Sequence, residues 1–152
     1  MGAQFGRDSV KKENLQTVKR ALIDAGVEIY RTRADEIHIA ERIRLHIMDS
    51  GIRIVFADEA KVVFSARSQR SDFPAETENA LFEKVRSTVG RAASERGFSE
   101  VSANTVQVKD PVDNEKVLDV WHEVTYSRAV SDIASAVADV QWSLALEKYI
   151  ST

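Results

Sequence analysis

Between Ile37 and Ile47 the odd positions carry Ile37, Ile39, Ile43, Leu45 and Ile47, with Glu41 the single exception. A period of two puts these side chains on one face of an extended chain, whereas a helix would scatter them around its circumference. The pattern predicts a strand with one buried face over residues 36 to 48. A chain committed to such a strand must build a sheet and cover it. A shorter extended stretch begins at Val27-Glu28-Ile29-Tyr30 and is interrupted over Arg31 to Asp35. The pattern leaves open whether residues 27 to 48 form one bent strand or two.

The covering elements are legible on either side. Residues 8 to 25 read as a helix, with Asp8 or Ser9 as N-cap, a stripe of Val10, Leu15, Val18, Leu22 and Ile23, and Gly26 as its stop. Asp49-Ser50-Gly51 is turn chemistry, Ile52 to Ala57 a strand, Asp58-Glu59-Ala60 a turn and Lys61 to Arg67 a strand. Asp72 and Pro74 open a second helix that runs to Arg96, with Leu81, Phe82, Val85, Val89, Ala92 and Ala93 on its stripe and Gly97 beyond its end. Val101 to Lys109 and Lys116 to Arg128 are strands joined by the loop Asp110-Pro111-Val112-Asp113-Asn114. A final helix starts near Ser131 with Asp132 at its cap. It carries Ile133, Val137, Val140 and Leu144 on one line and Trp142, Leu146, Tyr149 and Ile150 on a second. The order α-β-β-β-α-β-β-α predicts an α+β fold, an antiparallel sheet of about five strands with helices mainly on one face. Residues 1–152 form one domain in this reading, with residues 1–7 disordered.

Composition removes several classes of chemistry. The 152 residues include no cysteine, which excludes disulfides, thiolate zinc sites and a cysteine nucleophile. The six glycines are scattered, mostly at predicted element ends, and make no phosphate-binding loop. On a single strand His38 and His46 would stand about 26 Å apart, too far to share a metal. His122 shares a strand face with Leu118, Val120, Val124 and Tyr126 and reads as a core histidine. Strand alternation points it away from Asp119 and Glu123, so those three make no catalytic constellation. No catalytic residue, metal or cofactor is assigned. The short apolar runs and the absence of a leader pattern at the N-terminus predict a cytoplasmic protein with no membrane partner. A net charge of −3 gives no long-range attraction to a polyanion.

Candidate binding residues are therefore sought on surfaces. Trp121 lies between Asp119 and Glu123, and Trp142, Leu146 and Tyr149 widen the apolar side of the last helix beyond what one sheet contact needs, so these four are the candidate partner-binding set. Arg31, Arg33, Arg42, Arg44 and Arg53 cluster in the strand region and are the alternative, a basic sheet face for nucleic acid. Nearby Glu28, Asp35, Glu36, Glu41 and Asp49 favour cross-strand ion pairs instead. In element order, size and acidic charge the chain resembles the type III secretion chaperones and their chaperone-like relatives. That resemblance implies a non-enzymatic homodimer that binds an extended, unfolded segment of a client protein through apolar surface. A structural subunit of a larger assembly is a further reading.

Overall fold

The computed structural model describes Lys11 and residues 14–151. The proposed caps Asp8 and Ser9, Val10 and the expected disorder of residues 1–7 lie outside the described residues. The elements are α1 (Leu15–Asp24), β1 (Ile29–Arg33), β2 (Glu36–Ile43), β3 (His46–Phe56), β4 (Ala60–Gln69), a 3-10 turn (Arg70–Asp72), α2 (Glu78–Val85), a π turn (Arg86–Gly90), α3 (Arg91–Arg96), β5 (Ser99–Lys109), β6 (Val117–Ala129), α4 (Ile133–Ala145) and β7 (Tyr149–Ile150). Hydrogen bonding orders the strands β1-β2-β3-β4-β6-β5, with β7 added to β4. The α+β class holds, but the sheet has seven strands where about five were expected. The chain forms two compact units, Met1–Phe64 with Ser127–Leu146 and Ser65–Tyr126 with Glu147–Thr152.

In the first unit, Ile37, Ile39, Ile52, Ile54, Phe56, Val62 and Phe64 are fully or almost fully buried, together with Leu15, Val18 and Leu22 of α1 and Ala136 and Val140 of α4. Trp142 of α4 meets Phe64 edge to face, with ring centroids 6.0 Å apart. Asp132 caps α4 by accepting from the Ser135 amide at 2.7 Å. Gly26 ends α1 at φ +85°, and the Val27 amide closes back on the Leu22 carbonyl at 2.9 Å.

The strand expected over residues 36 to 48 is corrected to two. The chain reverses at Arg44-Leu45, and Ile43 pairs with His46. Arg44 takes φ +59°, the left-handed conformation that a two-residue hairpin loop requires. Because Ile43 and His46 face each other across this loop, Arg42 then pairs with Ile47 and Glu41 with Met48. The turn expected at Asp49-Ser50-Gly51 is also corrected, since these residues lie inside β3. There, residues 50 to 52 stand opposite Ile39 alone, between the pairs His38–Arg53 and Ala40–Asp49. Gly51 accommodates this bulge at φ +80°. Asp49 Oδ1 accepts from the Gly51 amide at 2.8 Å, and the Ser50 hydroxyl donates to the Ile39 carbonyl at 2.7 Å. Turn chemistry has been used to bend a strand.

In the second unit the helix begins later than expected, at Glu78, because Thr77 and not Asp72 supplies the cap, accepting from the Ala80 amide at 3.1 Å. α2, the π turn and α3 run on as one helix, since Val85, Arg86, Gly90 and Arg91 all keep right-handed helical dihedrals. Gly97 ends it at φ +94°. Leu81, Val85, Val89 and Ala93 are buried, and so are His122, Val124 and Tyr126 of β6. The Ser68 hydroxyl of β4 donates to the Leu81 carbonyl at 2.8 Å. The last helix was expected to extend through Ile150, and it stops at Ala145 because Leu146 turns extended at ψ 134°. β3 partners β4 only as far as Val63, which leaves the following stretch of β4 with an open edge. β7 fills that edge in parallel, pairing Tyr149 with Arg67 and Ile150 with Ser68.

Candidate functional site

Trp142, Leu146 and Tyr149 do not form the helix line that their spacing implied, since Leu146 is extended and Tyr149 lies in β7, while Trp121 lies on β6 as expected. Trp142 and Leu146 belong to the first unit and Trp121 and Tyr149 to the second. Trp142 is half-buried against Phe64. Trp121 is half-buried too, and what covers it is an arginine: the Arg67 guanidinium carbon sits 3.8 Å from the indole centroid. The same guanidinium lies 5.5 Å from the Tyr149 ring centroid. Neighbouring strands β6, β4 and β7 thus set indole, guanidinium and phenol in one row, each aromatic face turned to the cation.

Polar contacts tie this row to the turn that follows β4. The Tyr149 hydroxyl donates to Gln69 and to Asp72, and the hydrogen bond to the Asp72 carboxylate is the main reason its pKa is raised. Asp119 Oδ2 accepts from the Ser71 hydroxyl at 2.6 Å, while Oδ1 accepts from the amides of Val120 at 2.7 Å and Ser71 at 3.1 Å. Burial works to raise the Asp119 pKa, but these donors, with the charge of Arg67, hold it below the usual carboxylate value. On the opposite face of β6, His122 is 1% exposed and stands edge to face with Phe82 at 5.1 Å. Its Nδ1 has no hydrogen-bond partner, and burial pushes its pKa down, with Arg70 acting in the same direction. It is a neutral core imidazole, as strand parity indicated.

The arginine set is largely matched by carboxylates. Arg42 Nε donates to Glu28 at 2.5 Å, Arg31 lies 3.8 Å from Asp49, and Arg53 Nε lies 3.6 Å from Glu36. His38 sits between two of these acids, 3.0 Å from Glu36 and 3.6 Å from Asp49. The result is an alternating ladder across β1, β2 and β3 on the face opposite the buried isoleucines. Arg33 and Arg44 are exposed and have no ion pair among the described residues. With His46 on the returning strand of a hairpin, the 26 Å separation expected along one strand does not apply. No group of three acidic, His or Cys side chains suited to a metal occurs among the described residues.

Two surfaces escaped sequence reasoning. One is β5, which ends the strand order and has eleven residues, none of them buried. From Val101 to Val108 it carries no charge and no proline. The other is the hairpin tip, where Ile43, Leu45, Ile47 and Met48 are 48%, 94%, 50% and 48% exposed. The sequence marked the first as an ordinary strand and put Ile43, Leu45 and Ile47 of the second on the buried face of one. Among the described residues no helix is long and apolar enough to cross a membrane. The chain matches no family model, no curated protein and no solved structure.

Proposed function

We propose that the protein is a non-enzymatic binding module that takes up an extended polypeptide segment along the outer edge of β5. One observation carries this reading: an eleven-residue edge strand lacks, over Val101–Val108, the charges and prolines that normally blunt such an edge. Every second residue of an edge strand presents its amide and carbonyl outward, and an incoming strand answers both. Main-chain pairing supplies affinity without demanding a particular sequence, which suits a binder of unfolded segments. The resemblance to secretion chaperones in element order and size points to the same class of ligand. The row of Trp121, Arg67 and Tyr149 serves packing in this reading, because each aromatic face already meets the guanidinium.

Selection from a displayed peptide library, followed by amide hydrogen exchange on the complex, tests the proposal. Bound peptide should slow exchange along β5, and Ala103→Lys with Gln107→Lys should abolish binding while leaving the thermal midpoint unchanged. Protection confined to other strands, or no selected peptide, would refute it. Light scattering on the free protein separates a 17.0 kDa protomer from a particle of about twice that mass, in which a second copy occupies the edge.

A further inference from the structure

The hairpin joining β2 and β3 outruns its neighbours. β1 follows β2 only to the contact between the Ala40 amide and the Glu28 carbonyl, at 2.9 Å, and β4 meets β3 only from Arg53 onward. Residues 41 to 51 are therefore a two-stranded ribbon flanked by no other described strand. About four residue pairs at about 3.4 Å per residue make it a finger on the order of 13 Å long. A free two-stranded ribbon is marginal in water, and this one is closed by an arginine held at positive φ. Its side chains are the reverse of what an exposed turn ordinarily carries.

Leu45 stands at the apex, 94% exposed. The pairing puts Ile43 and Met48 on one face of the ribbon, with His46 and Glu41, and Ile47 on the other, with Arg42. Apolar chains thus occupy the apex and both faces. A flat protein partner would cover one face and leave the other wet, whereas a fluid apolar medium surrounds all of them at once. Over residues 41 to 51 Arg42 and Arg44 stand against Glu41 and Asp49, but both acids lie at the base of the ribbon, and the apical run from Arg42 to Met48 carries two arginines and no acid. Arg42 is already paired with Glu28, while Arg44 has no ion pair among the described residues. Docking two fingers on each other would bring like charges together at the apex. An anionic surface over a hydrocarbon layer answers both the charge and the apolar chains, since an arginine stem can lie along the apolar layer with its head among phosphates.

We infer that this finger is a peripheral docking element for anionic phospholipid bilayers, inserting Leu45 and its apolar neighbours beneath the headgroups while Arg44 meets lipid phosphate. The inference is independent of strand addition at β5.

Co-sedimentation with phosphatidylcholine vesicles, with and without phosphatidylglycerol, tests it on the full chain. Wild-type protein should sediment with the anionic vesicles, and binding should weaken as salt rises. Arg44→Glu should reduce partitioning about 25-fold, two unit charge changes at about five-fold apiece. Leu45→Ser should reduce it about ten-fold or more. Both positions are exposed, so an unchanged circular dichroism spectrum and thermal midpoint would certify the variants as folded. Failure of the wild type to sediment would overturn the inference, and so would binding by both variants as tight as that of the wild type. A concentration-dependent dimer abolished by Leu45→Ser, without vesicle binding, would overturn it in favour of self-docking.

Discussion

Gly90 closes the π turn at the point where the helix backbone passes Tyr126. Its dihedrals are ordinary helical ones, φ −60° and ψ −37°, so its conformation does not require glycine. Its surroundings do: a Cβ built there would lie 2.7 Å from the Tyr126 hydroxyl oxygen, closer than van der Waals contact permits. Two effects of opposite sign then meet in Gly90→Ala. Alanine gains about 1 kcal/mol of helix propensity over glycine, whereas forcing an extra carbon into a packed site costs about 1 to 3 kcal/mol. The net expectation is a loss of about 0 to 2 kcal/mol. In a Tyr126→Phe background the offending atom is gone, and the next neighbours stand at 3.5 Å or beyond, ordinary contact distances. There the same substitution should stabilise by about 0.5 to 1 kcal/mol. The two backgrounds should therefore differ by about 1 to 3 kcal/mol, whatever the hydroxyl contributes elsewhere, because that contribution cancels in the cycle. Urea denaturation of all four proteins measures this, with an unchanged slope confirming that only stability has moved. Equal effects of Gly90→Ala in both backgrounds would show that helix propensity alone sets this position.

Arg67→Ala removes the cation from the faces of Trp121 and Tyr149. It should cost about 1 to 2 kcal/mol and shift tryptophan emission to the red as water reaches the indole; unaltered emission would refute the stack. His122 is held below its ordinary pKa, so near that value, about 6.5, the unfolded chain binds more protons than the native one. Its contribution to stability should be complete above about pH 6.5 and decline as the pH falls below it, and His122→Leu should flatten the urea midpoint over that range. In the first unit, Arg128 Nη1 donates to Asp139 at 3.2 Å, and Asp139 is 1% exposed. Arg128→Met leaves that carboxylate without its cation and should cost about 1 to 3 kcal/mol in the same assay; a neutral result would mean that the remaining contacts of Asp139 suffice.

The parts of the fold that sequence made legible are those where local chemistry and tertiary demand coincide. Asp132 as a cap, the glycine stops at Gly26 and Gly97, the strand parity of His122 and the alternation of β6 from His122 to Tyr126 all read correctly, because each is decided within a few residues, whereas Leu118 of the same parity is exposed. The failures have a different cause. Arg44 reverses the chain with none of the glycine, asparagine or aspartate that announces a left-handed turn, so the isoleucine alternation read straight through the reversal. Asp49-Ser50-Gly51 carries that chemistry and makes a bulge, a choice set by the partner strand. Tyr149 sits at a helical interval from Trp142 and Leu146, yet the open edge of β4 takes it as β7. The candidate surfaces were hidden for the same reason. An edge exists only once strand order is known, and a finger only once pairing ends are known.

Backbone accounting links those two surfaces and also separates them. Buried amides and carbonyls must find partners, which is why β7 lines the open stretch of β4. Among the described residues β5 and the hairpin finger are two of the places where strand pairing stops, so each can accept something further at little cost to the fold. What each can accept differs in kind. β5 offers neutral main-chain donors and acceptors over Val101–Val108, and pairing with them is short-ranged and barely screened by salt. The finger offers guanidinium and hydrocarbon, and its attraction to an anionic surface falls as ions screen it. Salt therefore discriminates between them without any substitution. Peptide capture that survives high ionic strength belongs to the edge, and vesicle binding that disappears belongs to the finger. A single ligand lost in parallel from both would mean that neither surface acts in the way its chemistry dictates.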